Sequence, residues 1–363
     1  MKTVLILGAG ASADAGVPLM DGFLDRAREL LEGGELNDCK GRIIDVLTAA
    51  HDDLLPLHAK ANLQVEGNVE DLISAIDMGV LIQKYGERDS KSLNDLRDSA
   101  IIFLCRTIEQ SMGFPIREGY AHPTQSYDAL AEIVAKATKP IGSPSGIGHE
   151  VSIVTFNYDI GLELALRYHN VLPDYGLKTK VVTQGQFSRQ IKVLKLHGSI
   201  NWGRCSVCGA IVPTVLAPQG HIVSFPGTTQ KNYYFPVLQY LSKVKHTDGA
   251  LEPLPFIVPP TWNKTIASPE LRSIWQQAAA ELGSAENIVV VGFSLPDTDR
   301  FFRYLFALGV MSKTRLRKFL VLDPDPNVHR RFEALTGSVT RGRFAATPTL
   351  FSHGLNTIRD LLR

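Results

Sequence analysis

Continuous runs of apolar residues recur along the chain, and short runs of this kind are typical of strands buried on both faces of a parallel sheet. The five clearest runs are Thr3–Leu7, Val151–Phe156, Ile191–Leu196, Asn287–Val291 and Phe319–Leu322. A sixth candidate, Pro255–Val258, is shorter and weaker. Helical patterns follow most of the runs, and Ser268 before Pro269 is a helix-start signal. The alternation predicts an α/β fold built on a doubly wound, mostly parallel sheet.

Two segments interrupt this alternation. Residues 20–150 show helical spacing of apolar positions and predict a large α-helical insertion. Its predicted helices are Leu24–Leu31, Ile43–Ala50, a segment from the cap Asn68 to Val80, Leu93–Met112 and Tyr127–Ala137. Residues 203–254 are rich in Gly, Pro, Thr and Val and predict a small irregular module. The main domain then comprises 1–19, 151–202 and 255–345, and 346–363 form a C-terminal strand and helix that pack on it.

Composition excludes several classes of function. The 363 residues carry a formal net charge of +1, so the chain lacks the basic field that drives binding to nucleic acid. No apolar run reaches the roughly 18 residues that cross a bilayer, and the first run is too short for a signal peptide. Four cysteines make no disulfide framework in a chain of this length. These features favour a cytoplasmic protein without a membrane partner.

A glycine-rich loop follows the first predicted strand. Its residues Gly8, Ala9, Gly10, Ala11 and Ser12 would let the backbone turn tightly, approach a diphosphate and present the N–H groups that open the next helix. A dehydrogenase would carry a second strand ending in an acidic residue about 20 residues later. Residues 24–32 are predicted to be helical instead. The sheet is therefore Rossmann-like, but an ordinary hydride-transferring enzyme is disfavoured.

Polar residues follow the other predicted strands, at the sheet edge where open parallel sheets bind ligands. They are Asn157 and Asp159, His197, Gly292 and Ser294, and Asp323. Each also has a structural explanation. Asp159 could cap the helix that begins near Ile160, His197 could be a structural histidine, and Asp323 could shape a proline-rich turn. Asp297 most simply caps the predicted helix Thr298–Leu308.

Together these motifs resemble the sirtuin family. Gly8–Ser12 followed by Ala15–Pro18 resembles the sirtuin phosphate loop, and Thr155–Asp159 resembles its Thr-Gln-Asn-x-Asp motif. His197-Gly198 is similar to the catalytic His-Gly, and Gly292–Leu295 to the ribose loop. The closer likeness is to sirtuin-like domains of bacterial antiphage defence systems, which share the Thr-Phe-Asn-Tyr-Asp spelling, the Leu-Pro-Asp-x-Asp continuation and a helical insertion.

This resemblance implies an NAD hydrolase that releases nicotinamide and ADP-ribose. Asn157 would orient the attacking water or a ribose hydroxyl, and His197 would be the general base. The resemblance assigns the diphosphate to Gly8–Ser12, the adenosine-side ribose to Ser294 and Asp323, and electrostatic support to Asp159. The Gly292 loop belongs to the same NAD site.

Departures from the family favour water as the acceptor. Deacylating sirtuins have Asp-Phe-Arg where this chain has Leu19–Asp21, and Phe-Gly-Glu where it has residues 255–261. Two alternatives stay open: an NAD-dependent protein deacylase, and a non-catalytic module that senses NAD or ADP-ribose for a partner.

The resemblance also bears on metals and partners. Cys205 and Cys208 lie where a sirtuin zinc module begins, but a structural zinc site has four ligands and the chain contains no second such pair. His221 is a candidate third ligand, a fourth is not evident, and no metal is expected. A homo-oligomer and a separate regulatory partner, a ring-forming ATPase or an Argonaute-type protein, are expected because an NAD-depleting enzyme must stay inactive until triggered.

Overall fold

The computed structural model describes residues 1–54, 69–117, 120–143, 148–179, 187–214, 221–224, 231–234, 237–241, 243–247, 249–258, 269–296, 300–310, 316–340 and 342–363. Its strands are β1 (Lys2–Leu7), β2 (Phe114–Arg117), β3 (Tyr120–Ala121), β4 (Glu150–Thr155), β5 (Val171–Asp174), β6 (Arg189–Lys195), β7 (Gly198–Cys205), β8 (Ile211–Pro213), β9 (His221–Ser224), β10 (Lys231–Tyr234), β11 (Lys245–His246), β12 (Gly249–Ile257), β13 (Asn287–Val291), β14 (Lys318–Leu322) and β15 (Phe344–Thr347). Its α-helices are α1 (Phe23–Gly33), α2 (Lys40–Thr48), α3 (Val69–Ile82), α4 (Ser90–Ser111), α5 (Gln125–Ala137), α6 (Gly161–Tyr168), α7 (Val237–Leu241), α8 (Pro269–Ser284), α9 (Arg300–Val310), α10 (Pro326–Thr336) and α11 (Phe351–Leu361).

The largest sheet in the described residues has seven strands, in the order β15-β14-β13-β1-β4-β6-β5. All of its strand pairs are parallel. Every residue of β13, and all but the first of β1, β4 and β14, is buried. Because neighbouring side chains of a strand point to opposite faces, this burial requires cover on both faces. The five clearest predicted strands and the α/β class are confirmed.

Of the two edge strands of this sheet, β5 was not predicted, and β15 only partly overlaps the C-terminal strand expected within 346–363. Strands β5 and β15 have four residues each and are only partly buried. An edge strand has a neighbour on one side alone, so it needs no continuous apolar run. Their sequences, Val-Leu-Pro-Asp and Phe-Ala-Ala-Thr, therefore gave no signal of the kind that identified the central strands.

The sheet is doubly wound because the chain adds strands on both sides of β1. From β1 the chain adds β4 and β6 on one side, then returns to place β13 and β14 on the other. Helix α5 packs with α6 and α11, and α8 packs with α9, so helices cover the sheet in two groups. The crevice at such a reversal, outside the carboxyl ends of the strands, is where ligands bind in this architecture.

The chain divides into two compact units. The first comprises Met1–Ala15, Phe114–Gly198 and Ser268–Arg363, and the second comprises Gly16–Gly113 and Ser199–Ala267. These boundaries differ from the segmentation expected from the sequence. Residues 114–150 belong to the first unit because α5 packs on α6 and α11. Residues 255–267 belong to the second unit.

The second unit contains α1 to α4 and a four-stranded sheet of order β11-β12-β7-β8. The segment 203–254 was expected to be irregular, but more than half of its described residues lie in β-strands. The weak candidate Pro255–Val258 falls at the end of β12, in this sheet and not in the parallel one. The predicted helices of the insertion correspond to α1 to α5, although the cap Asn68 lies outside the described residues. None of the described helices is both long enough and apolar enough to span a bilayer.

A buried carboxylate joins α8 to the sheet at the amino ends of its strands. Glu281 accepts bonds from Lys2 (2.8 Å), Lys192 (2.7 Å) and the Ser152 hydroxyl (2.9 Å). Burial by itself raises the pKa of Glu281, but the bonds from the two lysines and the serine outweigh it and hold this pKa below its ordinary value. The ionised carboxylate therefore stabilises the fold at neutral pH.

We expect Glu281→Gln to lower the free energy of unfolding at pH 7 by about 1–2 kcal/mol, because two lysines lose their charged acceptor. The native pKa is depressed, so this contribution is complete above the ordinary pKa of 4.5 and is lost as pH falls through the lower native value. Denaturant unfolding of both proteins, at pH 7 and at about pH 3, measures the difference. Glu333→Gln, on the exposed side of α10, is the control. A gap that stays constant between the two pH values would contradict the assignment.

Candidate active site

The registers of the parallel strands bring the predicted site residues to one edge of the sheet. Leu7 pairs with both Thr155 and Val291, Thr155 pairs with Lys195, and Val291 pairs with Leu322. The chain therefore leaves all five strands at the same level. The predicted residues that follow these ends by one or two positions are Gly8, Asn157, His197, Gly292 and Asp323. The edge predicted from sequence is the edge that the structure forms.

Two glycine loops meet at the centre of this edge. Gly8 N donates to Val291 O (3.1 Å), and Gly10 N donates to Gly292 O (2.9 Å). A Cβ on Gly8 would lie 2.5 Å from Gly292 O, and one on Gly292 would collide with Ala11 N and lie 2.5 Å from the Gly10 carbonyl carbon. Gly292 also has φ +59°, which side chains disfavour. Glycine is required here because two backbones touch.

The loop after β1 differs from the expected start of a helix. Short 3-10 turns span Ala9–Ala11 and Ala13–Ala15, and the first α-helix begins only at Phe23. Ala11 N donates to Gly8 O and Ser12 N donates to Ala9 O, so these amides are already bonded. Within the described residues, the N–H groups of Ala9 and Ala13 have no protein acceptor. Both amides can therefore donate to a bound anion.

Asn157 is held in one orientation by a buried network. Its Nδ2 donates to Gly8 O (2.9 Å) and to Ser12 Oγ (2.8 Å), which uses both of its hydrogens. Its backbone N donates to Thr155 Oγ1 (3.1 Å). Gly8 O can only accept, so it fixes which end of the carboxamide is nitrogen. The described residues provide no partner for Oδ1, which is therefore free to accept a hydrogen bond.

Ser12 is fully buried and connects three polar side chains. Its hydroxyl donates to Asp159 Oδ2 (2.6 Å). Since that uses its one proton, the Tyr127 hydroxyl at 2.7 Å must donate to Ser12. Burial and the nearby Asp159 charge raise the pKa of Tyr127 well above its ordinary value, so the tyrosine keeps that proton. Every hydrogen in the network has an assigned direction.

Asp159 bonds both to the start of a helix and to Ser12. Its Oδ1 accepts from the Gly161 amide (2.9 Å) at the start of α6, while Oδ2 accepts from Ser12. Beneath it, Lys195 Nζ donates to Asp159 O (2.5 Å) and to Glu163 Oε1 (2.7 Å). Burial raises the pKa of Glu163 and the Lys195 charge opposes that rise. This buried pair supports the segment that carries Asn157.

His197 lies beside Asn157 on the neighbouring strand end. Its ring is edge-on to Phe156, with centroids 5.3 Å apart, and 5.9 Å from the ring of Tyr158. The two aromatic residues that flank Asn157 in sequence therefore both contact the histidine. Asn157 and His197 are only 9% and 4% exposed, so both are shielded from bulk water.

A second group of predicted residues lies at the ends of β13 and β14. Asp323 is buried, and burial raises its pKa, although the Asp325 amide donates to its Oδ1 (2.9 Å) and opposes the shift. Ser294 is exposed, and its carbonyl accepts from Arg331 Nε (2.9 Å). The residues Asp297, Thr298 and Asp299 lie outside the described residues.

Sequence reasoning missed the residues that support Asn157. Lys195 gave a signal, because a lysine two positions before His197 in a buried strand requires a buried partner. Tyr127 and Glu163 gave none, since both fall in ordinary helical patterns. Phe156 stacks on Phe293 with centroids 4.1 Å apart, across the space left by Gly8. Only the strand order reveals that pairing.

No family model matches the sequence, and no curated protein matches it. Similar solved structures include a Sir2 homologue in complex with NAD, with 15% identity and a TM-score of 0.45, covering 100% of this chain and 89% of that one. A structure of a Sir2 enzyme has 14% identity and a TM-score of 0.43 (99% and 91% covered), and Sir2 bound to an acetylated peptide has 12% and 0.39 (99% and 92%). Because these TM-scores are below 0.5, the functional assignment depends on the side-chain geometry instead.

We expect Gly292→Ala to lower the free energy of unfolding by about 2–4 kcal/mol, because the methyl group meets backbone atoms and the residue has a left-handed φ. Gly342→Ala is the matched control, since Gly342 has φ +72° but no atom within 4 Å of an added Cβ. That variant should lose only about 1 kcal/mol. Denaturant unfolding separates the two effects, and equal losses would show that the contact between the loops contributes nothing.

Proposed function

We propose that this chain is a sirtuin-like NAD hydrolase that cleaves the bond between nicotinamide and ribose, releasing nicotinamide and ADP-ribose. The observation that carries the proposal is the fixed carboxamide of Asn157, whose Nδ2 is bonded to Gly8 O and Ser12 Oγ and whose Oδ1 is left as an acceptor. The sirtuin-like motifs of the sequence support the same assignment.

Cleavage of this bond passes through an oxocarbenium-like state, because nicotinamide leaves as a neutral molecule from a cationic substrate. Asn157 Oδ1 accepts a hydrogen bond from the attacking water or a ribose hydroxyl and so orients the nucleophile. Orientation of this kind lowers the barrier without new chemistry, provided that the group is rigid. The bonds to Gly8 and Ser12 supply that rigidity.

His197 acts as the general base that takes the proton from this nucleophile. Its position between Phe156 and Tyr158 limits the motion of the ring. Asp159 places a buried negative charge next to the site, which favours the positive charge that develops on the ribose. Water is the acceptor, because the sequence lacks the acyl-lysine motifs of deacylating sirtuins.

The remaining predicted residues hold the rest of NAD. The free amides of Ala9 and Ala13 donate to the diphosphate, and the close contact of Gly8 and Gly10 with Gly292 holds the loop that carries them in place. Ser294 and Asp323 bind the adenosine-side ribose. NAD is thus the substrate, and the reaction as written uses no metal ion.

We expect Asn157→Ala and His197→Ala each to reduce nicotinamide release from NAD by at least about 100-fold while the protein stays folded. Chromatography of reactions with purified protein resolves nicotinamide, ADP-ribose and cyclic ADP-ribose. Asn356→Ala and His353→Ala, both exposed on α11, are the matched controls and should turn over like the parent.

Parent-like turnover by either site variant would refute the assignment of that residue. Tight NAD binding without nicotinamide release by the parent would refute hydrolysis and indicate a sensing module. Deacylation of an acyl-lysine peptide that requires NAD would instead establish the deacylase alternative.

Regulation forms a separate part of the proposal. By resemblance, the enzyme depletes NAD in the cytoplasm of infected bacteria as an effector of antiphage defence, and its activity depends on a homo-oligomer or on a partner such as a ring-forming ATPase or an Argonaute-type protein. We expect the isolated chain to show low activity that rises with assembly. Sedimentation velocity and NAD turnover measured on the same dilution series test this. A fully active monomer at low concentration would contradict it.

A further inference from the structure

The antiparallel sheet of the second unit brings together two cysteines and a histidine that are distant in sequence. Cys205 ends β7, Cys208 lies in the turn that follows, and His246 lies in β11. Their ligand atoms all lie within 4.8 Å of one another. Both cysteines are free thiols. The candidate third ligand from sequence was His221, whose side chain lies outside the described residues.

Backbone bonds hold the cysteine turn in a defined shape. Gly209 N donates to Cys205 O (3.0 Å), and Gly209 has φ +72°, so the chain reverses tightly after Cys208. Cys205 N donates to Ala210 O (2.9 Å), which closes the turn. The positions of both thiols are therefore set by the backbone and not by side-chain packing alone.

The histidine is held against this turn by the neighbouring strand. His246 pairs with Gly249 in the hairpin that joins β11 and β12. Ser206 donates from both its N (3.0 Å) and its Oγ (2.9 Å) to Ala250 O in β12. A Cβ on Gly249 would lie 2.7 Å from Val207 Cγ2, so glycine permits the approach of the hairpin to the turn. The three ligand atoms are thus placed together before any ion binds.

The distances fit a tetrahedral ion. Zinc binds cysteine sulfur at about 2.3 Å and histidine nitrogen at about 2.0–2.1 Å, so a tetrahedral angle places the sulfur and nitrogen atoms about 3.6 Å apart. Cys208 Sγ and His246 Nδ1 are 3.5 Å apart. The backbone amides of Val207 and Cys208 are directed at Cys205 Sγ.

We propose that Cys205, Cys208 and His246 bind one zinc ion, with a water molecule as the fourth ligand. Two thiolates and an imidazole are a donor set that zinc prefers. Cys208 is exposed, so solvent can reach the fourth position. The absence of a second cysteine pair therefore does not exclude a metal site in this chain, because the third ligand comes from a hairpin about forty residues later.

One ligand of the site lies in apolar surroundings. Cys205 belongs to a small apolar cluster with Val212, Leu241 and Leu251. A zinc ion would join the end of β7 to the β11–β12 hairpin and so connect two strands that are separated by β12 in the sheet.

Cobalt binding to the full purified chain, kept under a reducing agent, tests the proposal. We expect one Co²⁺ per chain, a thiolate-to-cobalt charge-transfer absorption, and displacement of the cobalt by Zn²⁺. Cys208→Ser and His246→Asn should each weaken binding by about tenfold or more and change the absorption. Cys39→Ser and His51→Asn, which remove a cysteine and a histidine outside the cluster, are the matched controls.

Two outcomes would overturn the proposal. The first is a fully reduced parent that binds no stoichiometric cobalt or zinc, which would leave Cys205 and Cys208 as a simple thiol pair. The second is an unchanged cobalt spectrum and affinity in both site variants. Circular dichroism of each variant separates lost binding from lost folding. NAD turnover does not enter the measurement, so the result is independent of the proposed hydrolase activity.

Discussion

The structure depends on a close approach between two backbones at the carboxyl edge of the parallel sheet. The loops after β1 and β13 touch at Gly8, Gly10 and Gly292, where any side chain would collide with backbone atoms. This contact keeps Gly8 O in place, and that oxygen accepts from both Ala11 N and Asn157 Nδ2. Two donors saturate its lone pairs. The orientation of the candidate catalytic carboxamide of Asn157 therefore depends on glycines in two loops that are distant from it in sequence.

Burial makes that orientation strict. Ser12, Asp159, Lys195 and Glu163 are all nearly inaccessible to solvent. An unbonded polar group in such surroundings is strongly unfavourable, so the network has little freedom to rearrange. Lys195 holds the main chain at Asp159 while it balances the charge of Glu163. A rigid, dry network of this kind suits a reaction whose barrier is lowered by orientation and electrostatics more than by mobile groups.

The two compact units are stabilised by different means. In the first unit the central strands of a parallel sheet are buried on both faces, which supplies a large apolar core. In the antiparallel sheet of the second unit, the cluster around Cys205 contains few residues. Specific backbone bonds fix its turn and hairpin, and a bound ion would add a cross-link between them.

The sequence by itself determined the central strands and the edge at which polar residues gather. Continuous apolar runs identified β1, β4, β6, β13 and β14, because nearly every consecutive residue of a strand buried on both faces is apolar. Gly8, Asn157, His197 and Asp323 each come one or two positions after the end of a strand, so the sequence alone predicted that they share one edge of the sheet. The edge strand β5 was not detected, because a strand with only one neighbour does not need a continuous apolar run.

Only the tertiary structure decided which distant residues meet. Tyr127 reaches Ser12 because α5 packs on α6, and His246 reaches Cys208 because β11 pairs with β12. Neither contact can be predicted from the order of residues along the chain, because helix packing and hairpin placement depend on contacts between residues far apart in sequence. Local sequence patterns predict whether a residue is buried and which secondary structure it adopts. Its partners across space are set by the strand order, the registers and the close approaches that glycine allows.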